Sequence, residues 1–455
     1  MNISIRNVPR LLFSLLYVFL PFVYYFSKIG FIVGILLIYI LLFIDHSDKR
    51  NIIIDLYIIS FSFFGISIFG IKIVYLALIA IFIWELFHAK VDLFNSNISL
   101  MYVFIIYIFM SILIRKVFFI QQSTSVWTDF VRYIFCLVSI IVYSQSFILD
   151  SVTKVKKNIG SLDRMAWLLT IQTIIMSICF KLYGAQTNFQ SGIFTVNTFD
   201  STVSIQQGIS SSFESRLSAF FSDPNKLMAF IFIMLLARKI LAGDGYSNLK
   251  KEIVYLIGGI TTQSRAAFII IVLLVVVFCI RKIFNKNVIV GYSILLSIMI
   301  IVTLLLSYLN LSISDIINNT FRWLLKIMGR ERTLKLDSGL QNDGRAIIWR
   351  EAINFIRLKP LLGYGLQSEG MLLPYPTHNT IIQLLLDSGI VGLMIYVFGI
   401  LKILIGKINF IDFFILVVVP MLVLDLANFN IIFFVLGLTI AKSKGYFTRE
   451  NLYEW

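Results

Sequence analysis

One histidine and its neighbours carry the clearest chemical potential in this sequence. His378 follows Pro374 and Pro376, and it stands at the start of a long apolar run with Asn379 beside it. An imidazole titrates near neutral pH, so a histidine placed here can accept the proton of an attacking hydroxyl group. We expect Thr377 to cap the helix that the apolar run predicts, and Asn379 to bind the imidazole ring or a substrate.

Arginines near helix starts add a second function. Arg216 lies eight residues before Pro224, and the pair Asp223-Pro224, followed by Asn225, predicts a helix that starts with an acidic cap and a proline at its first position. Arg265 lies in a short polar joint between two apolar runs. Guanidinium groups bind phosphate oxygens bidentately, so such arginines can neutralise a diphosphate.

Acidic residues with the spacing of metal ligands are missing from the same regions. Asp223, Asp315, Asp337 and Asp343 are isolated from one another. Since no nucleotide supply exists outside the cytoplasm, the substrate must carry its own leaving group, as a sugar linked to polyprenyl diphosphate does. The residues therefore predict a transfer reaction without metal or any other cofactor.

Most of the remaining sequence predicts membrane helices. The chain has 455 residues, of which 59% are hydrophobic and 15% aromatic, well above the ~45–50% apolar content of soluble domains. The net charge is +15, which in such proteins first reflects cytoplasmic Lys and Arg, so nucleic acid is a poor partner. The three cysteines lie in apolar runs without disulfide or metal-ligand spacing. We expect an all-α polytopic membrane protein with about 12–14 transmembrane helices.

The apolar runs give approximate positions for these spans, and the first is expected to be a retained helix rather than a cleaved signal peptide. The runs fall at 11–27, 29–44, 52–70, 73–88, 98–114, 130–148, 164–181, 224–241, 252–264, 266–280, 288–310, 377–401, 409–425 and 430–442.

Alternate joints between these runs are rich in Lys and Arg, as in Lys154, Lys156 and Lys157 or in Arg281 and Lys282. Positive joints remain in the cytoplasm. The pattern therefore predicts that both termini are cytoplasmic and that His378, Arg216 and Arg265 face the other side.

Spacing also predicts the depth of Arg265. It lies fourteen residues after Lys251, or ~21 Å of helix against a ~30 Å hydrocarbon core. An arginine below the lipid surface costs about 2.5 kcal/mol or more unless it faces a wet cavity or an anion. We therefore expect a binding function for Arg265.

The long polar segments divide the chain into four parts. These are an N-terminal transmembrane bundle at 1–181, core helices at 182–310 with an outward loop at 182–223, a helical extracytoplasmic loop at 311–376, and C-terminal helices with a cytoplasmic tail at 377–455. The loop at 311–376 contains nine Lys or Arg and six Asp or Glu.

Four pieces of the sequence resemble the O-antigen ligase and Wzy-type polysaccharide polymerase superfamily, in the order found in that family. They are RLSAFFSDPN from Arg216, TQSRAAF around Arg265, GRAIIWREAINFIRLKPLLGYG around Arg345, and the His378-Asn379 pair followed by LLDSGIVGL. One departure is Ala219, which stands where the family usually has glycine.

The resemblance implies a metal-independent membrane glycosyltransferase of the GT-C type, located in the bacterial cytoplasmic (inner) membrane with its active site outside the cytoplasm. It implies transfer of a glycan from undecaprenyl diphosphate to a hydroxyl of a second glycan, with inversion. By position, the resemblance implies that His378 is the base, that diphosphate is bound by Arg216, Arg265 and Arg345, and that the supporting residues are Asn379, Trp349, Arg350, Asp223 and Asn225. The implied partners are the lipid-linked donor and acceptor, membrane lipid, and a chain-length regulator and flippase of the same pathway.

Several functions remain open at this stage. A polymerase accepts another lipid-linked repeat unit, whereas a ligase accepts lipid A-core or a protein; the Ile-, Phe-, Asn- and Lys-rich composition favours the polymerase. A flippase or transporter would place Arg265 at the bilayer centre on a cavity open alternately to both sides. A non-catalytic scaffold would tolerate the loss of His378.

Overall fold

A computed structural model gives the fold of the protein. It describes residues 8–45, 52–88, 92–118, 125–145, 152–183, 189–197, 218–221, 223–243, 249–262, 264–286 and 344–444. The predicted span at 288–310 lies outside the described residues.

The N-terminal half is helical apart from four short strands. In chain order its elements are α1 (Val8–Phe26), α2 (Lys28–Asp45), α3 (Ile52–Ser62), β1 (Ile66–Ile68), β2 (Ile71–Lys72), α4 (Ile73–His88), α5 (Ser99–Val117), α6 (Val126–Tyr143), α7 (Val152–Tyr183), β3 (Phe189–Ser191) and β4 (Phe194–Val196).

The C-terminal half continues with helices of mixed length. They are α8 (Pro224–Ala242), α9 (Leu249–Thr261), α10 (Arg265–Lys286), α11 (Gly344–Leu358), α12 (Glu369–Leu372), α13 (Thr380–Leu404), α14 (Phe410–Phe413), α15 (Val419–Val423) and α16 (Asn430–Lys444). A π-helical turn at Phe414–Val418 joins α14 to α15.

The fold class predicted from the sequence is confirmed: the chain is an all-α polytopic membrane protein. Within the described residues, six helices are long and apolar enough to cross a membrane, and shorter apolar helices accompany them. The six are Val8–Phe26, Lys28–Asp45, Ser96–Val117, Val126–Tyr143, Thr153–Cys179 and Thr380–Leu404.

The expectation of one continuous span over 52–70 is wrong. Helix α3 ends at Ser62, and the chain turns into β1. Gly65 stands at this turn, where its N–H donates to the carbonyl oxygen of Phe220 at 2.6 Å and its own carbonyl oxygen accepts from the N–H of Asn197 at 2.9 Å. A Cβ atom on Gly65 would overlap the carbonyl oxygens of Asn197 and Phe220. The absence of a side chain therefore permits this close crossing.

The four strands form a small antiparallel sheet in the order β2-β1-β4-β3. Strand β1 pairs with β4, with Ser67 opposite Thr195. The sheet joins the turn between α3 and α4 to the segment that follows α7. The apolar pattern did not predict it, because its strands are only two or three residues long.

An aromatic cluster supports the same region from within the bundle. Phe61 stacks on Phe230 with ring centroids 4.9 Å apart, and Phe64 stacks on both Phe61 and Phe221. Phe429 packs edge-on against Phe61 and Phe64. Each such pair contributes about 0.5–1.5 kcal/mol beyond its burial. The aromatic cluster therefore fixes the start of α8 and the residues before α16 against the end of α3.

Contacts between loops define one end of the bundle, which we call the histidine end because His378 lies there. Helices α4, α6, α8, α10 and α13 all start at it. Ser125, before α6, donates to Gln367 at 2.9 Å, and the N–H of Thr380, at the start of α13, donates to the carbonyl oxygen of Leu424 at 3.1 Å. The described residues of the candidate site therefore lie at this end.

Candidate active site at the start of helix α13

The backbone of His378 has an uncommon conformation. Its φ angle is +49°, which lies in the left-handed region that residues with a side chain rarely adopt. The residue is half-buried. Such a conformation persists only where the surrounding structure enforces it, and it is often found at functional sites. The contacts of the two neighbouring residues show how it is enforced.

Thr377 is held by two side chains from different segments. The indole N–H of Trp349, in α11, donates to the carbonyl oxygen of Thr377 at 2.7 Å. The Thr377 hydroxyl donates to Oε2 of Glu369, in α12, at 2.7 Å. Thr377 is itself fully buried. The residue before His378 is thus fixed through both its backbone and its side chain.

Asn379 fixes the other side of His378 and is the actual helix cap. Its Oδ1 accepts from the N–H groups of Ile381 and Ile382 at 3.0 and 3.1 Å, while its Nδ2 donates to the carbonyl oxygen of Leu422 at 3.0 Å. The expectation that Thr377 caps α13 is therefore wrong, because Thr377 points its hydroxyl at Glu369 instead. Asn379 satisfies the free N–H groups of the first turn.

Helix α13 is interrupted at Gly389, which has φ +63° and ψ −170°. The segment from Pro360 to Gly365 packs into this break. The N–H groups of Tyr364 and Gly365 donate to the carbonyl oxygens of Leu386 and Asp387 at 2.6 and 2.8 Å. A Cβ on Gly389 would overlap the carbonyl group of Leu361. Two of the sequence pieces that carry the family resemblance therefore dock onto each other.

Asp387 extends this docking toward Glu369. Its Oδ1 accepts from both the N–H and the hydroxyl of Ser368, at 2.9 and 2.8 Å. Ser368 directly precedes Glu369, and both Asp387 and Ser368 are buried. On the far side, Arg115 in α5 donates to the carbonyl oxygen of Gly363 at 2.9 Å. The loop that holds Thr377 is thus anchored to α13 and α5.

Arg265 occupies the first position of α10, and the residue before it contacts the start of α8. The hydroxyl of Ser264 donates to Oδ1 of Asn225 at 2.8 Å. Asp223 caps α8 by accepting from the N–H of Asn225 at 2.8 Å, with Pro224 at the first helical position. The sequence prediction for the start of α8 is confirmed. The Ser264–Asn225 bond brings the second of the family-like pieces to the end of the first.

The structure describes only part of the predicted arginine set. Arg216 lies outside the described residues. The backbones of Arg265 and Arg345 lie at the starts of α10 and α11, and their side chains are outside the description. Arg350 is exposed on α11. The convergence of the arginine side chains and His378 on one cavity, with tips within about 15 Å, therefore stays a prediction.

Glu369 is a polar residue of this site that the sequence did not single out. Burial raises the pKa of its carboxyl group, and the nearby acids Asp425 and Asp129 raise it further, although the hydrogen bond from Thr377 opposes them. Gln367 connects the region to α6, because its amide donates to Asp129. In the sequence Glu369 is a single acid between glycines and a proline-rich turn, and nothing in that pattern indicates its bond to Thr377.

Among the described residues, no group of three or more His, Cys, Asp or Glu side chains is arranged to hold a metal ion. The metal-independent reaction remains a prediction from the sequence.

Comparison with known proteins gives one result for this part of the chain. The O-antigen ligase family model matches residues 253–397, a stretch that begins in α9 and ends in α13. It includes Arg265, Arg345, Trp349, His378 and Asn379. Searches of curated proteins and of solved structures found no match. The match supports the superfamily to which the sequence motifs pointed, over about a third of the chain.

Proposed function

Because residues 253–397 belong to the O-antigen ligase family, we propose that this protein is a membrane glycosyltransferase that polymerises lipid-linked repeat units. The donor would be an oligosaccharide on undecaprenyl diphosphate, and the product would be O-antigen or capsular polysaccharide. The reaction would take place at the extracytoplasmic face of the bacterial cytoplasmic membrane. The same pathway would supply a flippase and a chain-length regulator as partners.

The proposed reaction is a single displacement. A hydroxyl oxygen of the acceptor glycan attacks the anomeric carbon of the donor's first sugar. The bond from that carbon to the diphosphate oxygen breaks, and undecaprenyl diphosphate leaves with the electron pair. The imidazole of His378 takes the hydroxyl proton. Attack opposite to the leaving group inverts the anomeric configuration.

Positive charge replaces a metal ion in this scheme. Arg216, Arg265 and Arg345 would bind the donor diphosphate and stabilise the negative charge that grows on it as the sugar departs. This electrostatic effect is usually large in a site that excludes water. Asp223, Asn225 and Ser264 would position Arg265 by fixing the starts of α8 and α10.

The observation that carries the proposal is the way His378 is held. Its neighbours Thr377 and Asn379 are tied to α11, α12 and the loop before α16, and its own φ angle is +49°. A non-glycine residue with this φ is held there by its surroundings, and such residues are concentrated at functional sites. A base must meet the hydroxyl at hydrogen-bond distance, which a fixed backbone favours.

The test is an assay of the purified full-length protein in lipid vesicles with a defined undecaprenyl-diphosphate-linked repeat unit. A ladder of longer glycans is expected from this substrate alone. Product that forms only after lipid A-core is added would identify a ligase and overturn the polymerase assignment. Absence of transfer both with the repeat unit alone and after addition of lipid A-core would contradict the glycosyltransferase proposal.

His378→Ala is expected to abolish the ladder, and His88→Ala is the matched control. His88 ends α4 at the opposite end of the bundle, so its loss should leave the ladder unchanged. Because this protein is the only enzyme in the vesicles, a ladder made by His378→Ala would show that His378 is not the base.

A further inference from the structure

The two ends of the bundle differ in how their described cations are paired. At the end opposite His378, six cations have carboxylate partners, while Lys402 and Lys407 donate to Ser99 and Asn97 at 2.9 and 3.0 Å. The ion pairs there are Arg10–Asp45, Arg164–Asp55, Arg238–Asp163, Lys239–Asp412, Arg281–Asp412 and Lys444–Asp92, at 2.8–3.5 Å. Charges in or near a low-dielectric medium need such partners.

Two half-buried lysines at the histidine end have no such partner. Neither Lys72, the last residue of β2, nor Lys226, in the first turn of α8, has a side-chain hydrogen bond or an ion pair within 4.0 Å among the described residues. A third cation, Arg132 of α6, pairs with Asp129 one turn earlier on its own helix. Among the described residues, these three basic side chains therefore have only one ion-pair partner, Asp129.

Ring stacking places Lys72 and Arg132 at the same level. Lys72 comes three residues before Tyr75, and Arg132 comes three residues before Phe135. The rings of Tyr75 and Phe135 stack with centroids 4.6 Å apart and planes 8° from parallel. Because α4 and α6 both start at the histidine end, each cation stands about one turn closer to that end than its ring.

The aromatic cluster places Lys226 beside them. Lys226 lies four residues before Phe230, whose ring stacks on Phe61 at 4.9 Å. Phe61 in turn stacks on Phe64, and the ammonium nitrogen of Lys72 lies 3.3 Å from the centroid of the Phe64 ring. Lys72 thus lies directly on the aromatic cluster, and Lys226 lies one helical turn from a ring of the same cluster.

The electrostatic balance of Lys72 agrees with this geometry. Burial lowers the pKa of its ammonium group well below its ordinary value, and the charges of Lys226 and Arg132 lower it further. The protein therefore disfavours the charged form of Lys72 when the site is empty. A bound anion would favour that form.

We propose that Lys72, Lys226 and Arg132 form an anion-binding subsite that takes a phosphate or diphosphate group of a lipid-linked substrate. Three cations close enough to interact electrostatically suit a multivalent anion, and lysine is a common point-charge ligand of phosphate. The identity of the substrate rests on the proposed function. Lys226 follows Asn225, which is hydrogen-bonded to Ser264, so the subsite adjoins the start of α10 and the predicted donor-binding arginine.

Nearby carboxylates set the balance of charge in the subsite. Asp129 pairs with Arg132, and Asp425, before α16, is close enough to Lys226 that the ammonium charge lowers the pKa of its buried carboxyl group. Burial is the stronger influence and raises that pKa. Among these five residues the three cations outnumber the two carboxylates.

Two sources of the phosphate group fit this position. One is the donor diphosphate itself, shared with the arginines. The other is the diphosphate that a polymerase acceptor also carries. Kinetic measurements distinguish them: loss of the lysines should raise KM for the donor in the first case and KM for the acceptor in the second.

The direct test is a calorimetric titration of the purified full-length protein with inorganic pyrophosphate. The double variant Lys72→Gln, Lys226→Gln should bind pyrophosphate at least about tenfold more weakly than the unchanged protein, a loss of about 1.4 kcal/mol. Lys359→Gln is the matched control, because Lys359 lies over the Tyr364 ring outside the subsite, and it should bind within twofold of the unchanged protein.

Further arms keep the test decisive. Lys72→Arg with Lys226→Arg should restore binding, which excludes a folding defect as the cause of the loss. Unchanged pyrophosphate affinity in the glutamine variant would overturn the proposal. Displacement of pyrophosphate by phosphatidylglycerol would make the subsite a phospholipid site and would overturn the substrate assignment.

The outcome is separable from that of the proposed function. Pyrophosphate binding that depends on the lysines, in a protein that transfers no glycan, would leave the subsite standing and remove the glycosyltransferase. Glycan transfer that depends on His378, together with pyrophosphate binding that does not depend on the lysines, would support the glycosyltransferase and overturn the subsite.

Discussion

Trp349 donates its indole N–H to the carbonyl oxygen of Thr377 at 2.7 Å, so a residue of α11 fixes the backbone immediately before His378. Trp349 and Thr377 are separated by 28 positions in the chain. Both segments lie within the part of the chain that matches the family, and helix α11 fixes the residue before the candidate base.

Trp349→Phe keeps most of the ring and removes the N–H. A hydrogen bond of this kind contributes about 1 kcal/mol, so we expect kcat to fall about fivefold with little change in KM. Trp167→Phe is the control, since Trp167 is exposed on α7. An unchanged kcat for Trp349→Phe would show that this bond does not position His378.

The Ser264–Asn225 bond gives a prediction for donor binding. Ser264→Ala should raise KM for the lipid-linked donor about three- to tenfold, because Arg265 loses the contact that fixes the start of its helix. Thr261→Ala serves as the control, since the Thr261 hydroxyl donates only to the carbonyl oxygen of Gly258 in its own helix. A double-mutant cycle with Asn225→Ala should be non-additive; additive effects would contradict the coupling.

The break in α13 predicts a large difference between two glycines. Gly389→Ala should destabilise the protein by more than about 3 kcal/mol, because the new methyl group meets the Leu361 carbonyl and φ is +63°. Gly370→Ala should be neutral, since no atom lies within 4 Å of the new methyl group. Thermal unfolding in detergent measures both variants, and similar midpoints would refute the packing argument.

Glu369 predicts a pH dependence of stability. Burial and the charges of Asp425 and Asp129 raise the pKa of its carboxyl group in the folded protein above the value in the unfolded chain. The folded state therefore binds more protons than the unfolded state between these two pKa values, and stability falls as pH rises through that window. Unfolding midpoints from pH 4 to 8 should show this decline.

Glu369→Gln should flatten that decline while the amide keeps an oxygen that can accept from Thr377. Glu351→Gln is the control, because Glu351 is exposed on α11. An equal slope in Glu369→Gln and in the unchanged protein would assign the decline to other groups.

Helix positions were predictable from the sequence because apolar length follows membrane thickness. The runs at 224–241 and 430–442 correspond closely to α8 and α16. The prediction was wrong where a short apolar run was not helical throughout. Residues 63–70 are mostly apolar, but Gly65 crosses two other backbone segments and the chain forms strands there.

Contacts between distant segments were the least predictable part. Lys72 lies in a two-residue strand, and its place beside Lys226 depends on a stack of aromatic rings from several helices. Its type and spacing gave no indication of this. The sequence does not show that Thr377 bonds to Glu369 rather than capping α13, because the two residues lie eight positions apart on different segments.

Ala219 departs from the family pattern at a position where the backbone has a positive φ angle. It stands where the family resemblance expects glycine, and its φ is +47°. Glycine adopts this conformation without the steric cost that a side chain adds. The chain keeps the turn although the residue that favours it is absent.

The interruption at Gly389 also divides α13 mechanically. Residues 380–388 are anchored at one end by Leu424 and at the other by the Pro360–Gly365 segment. The part that follows is held by Tyr396, whose hydroxyl donates to the carbonyl oxygen of Ala427 at 3.0 Å, and it presents Ile390, Met394 and Phe398 on its exposed face. Because the break interrupts the helix between two separately anchored parts, we expect a change in the tilt of residues 390–404 to be absorbed at Gly389 rather than passed on to His378.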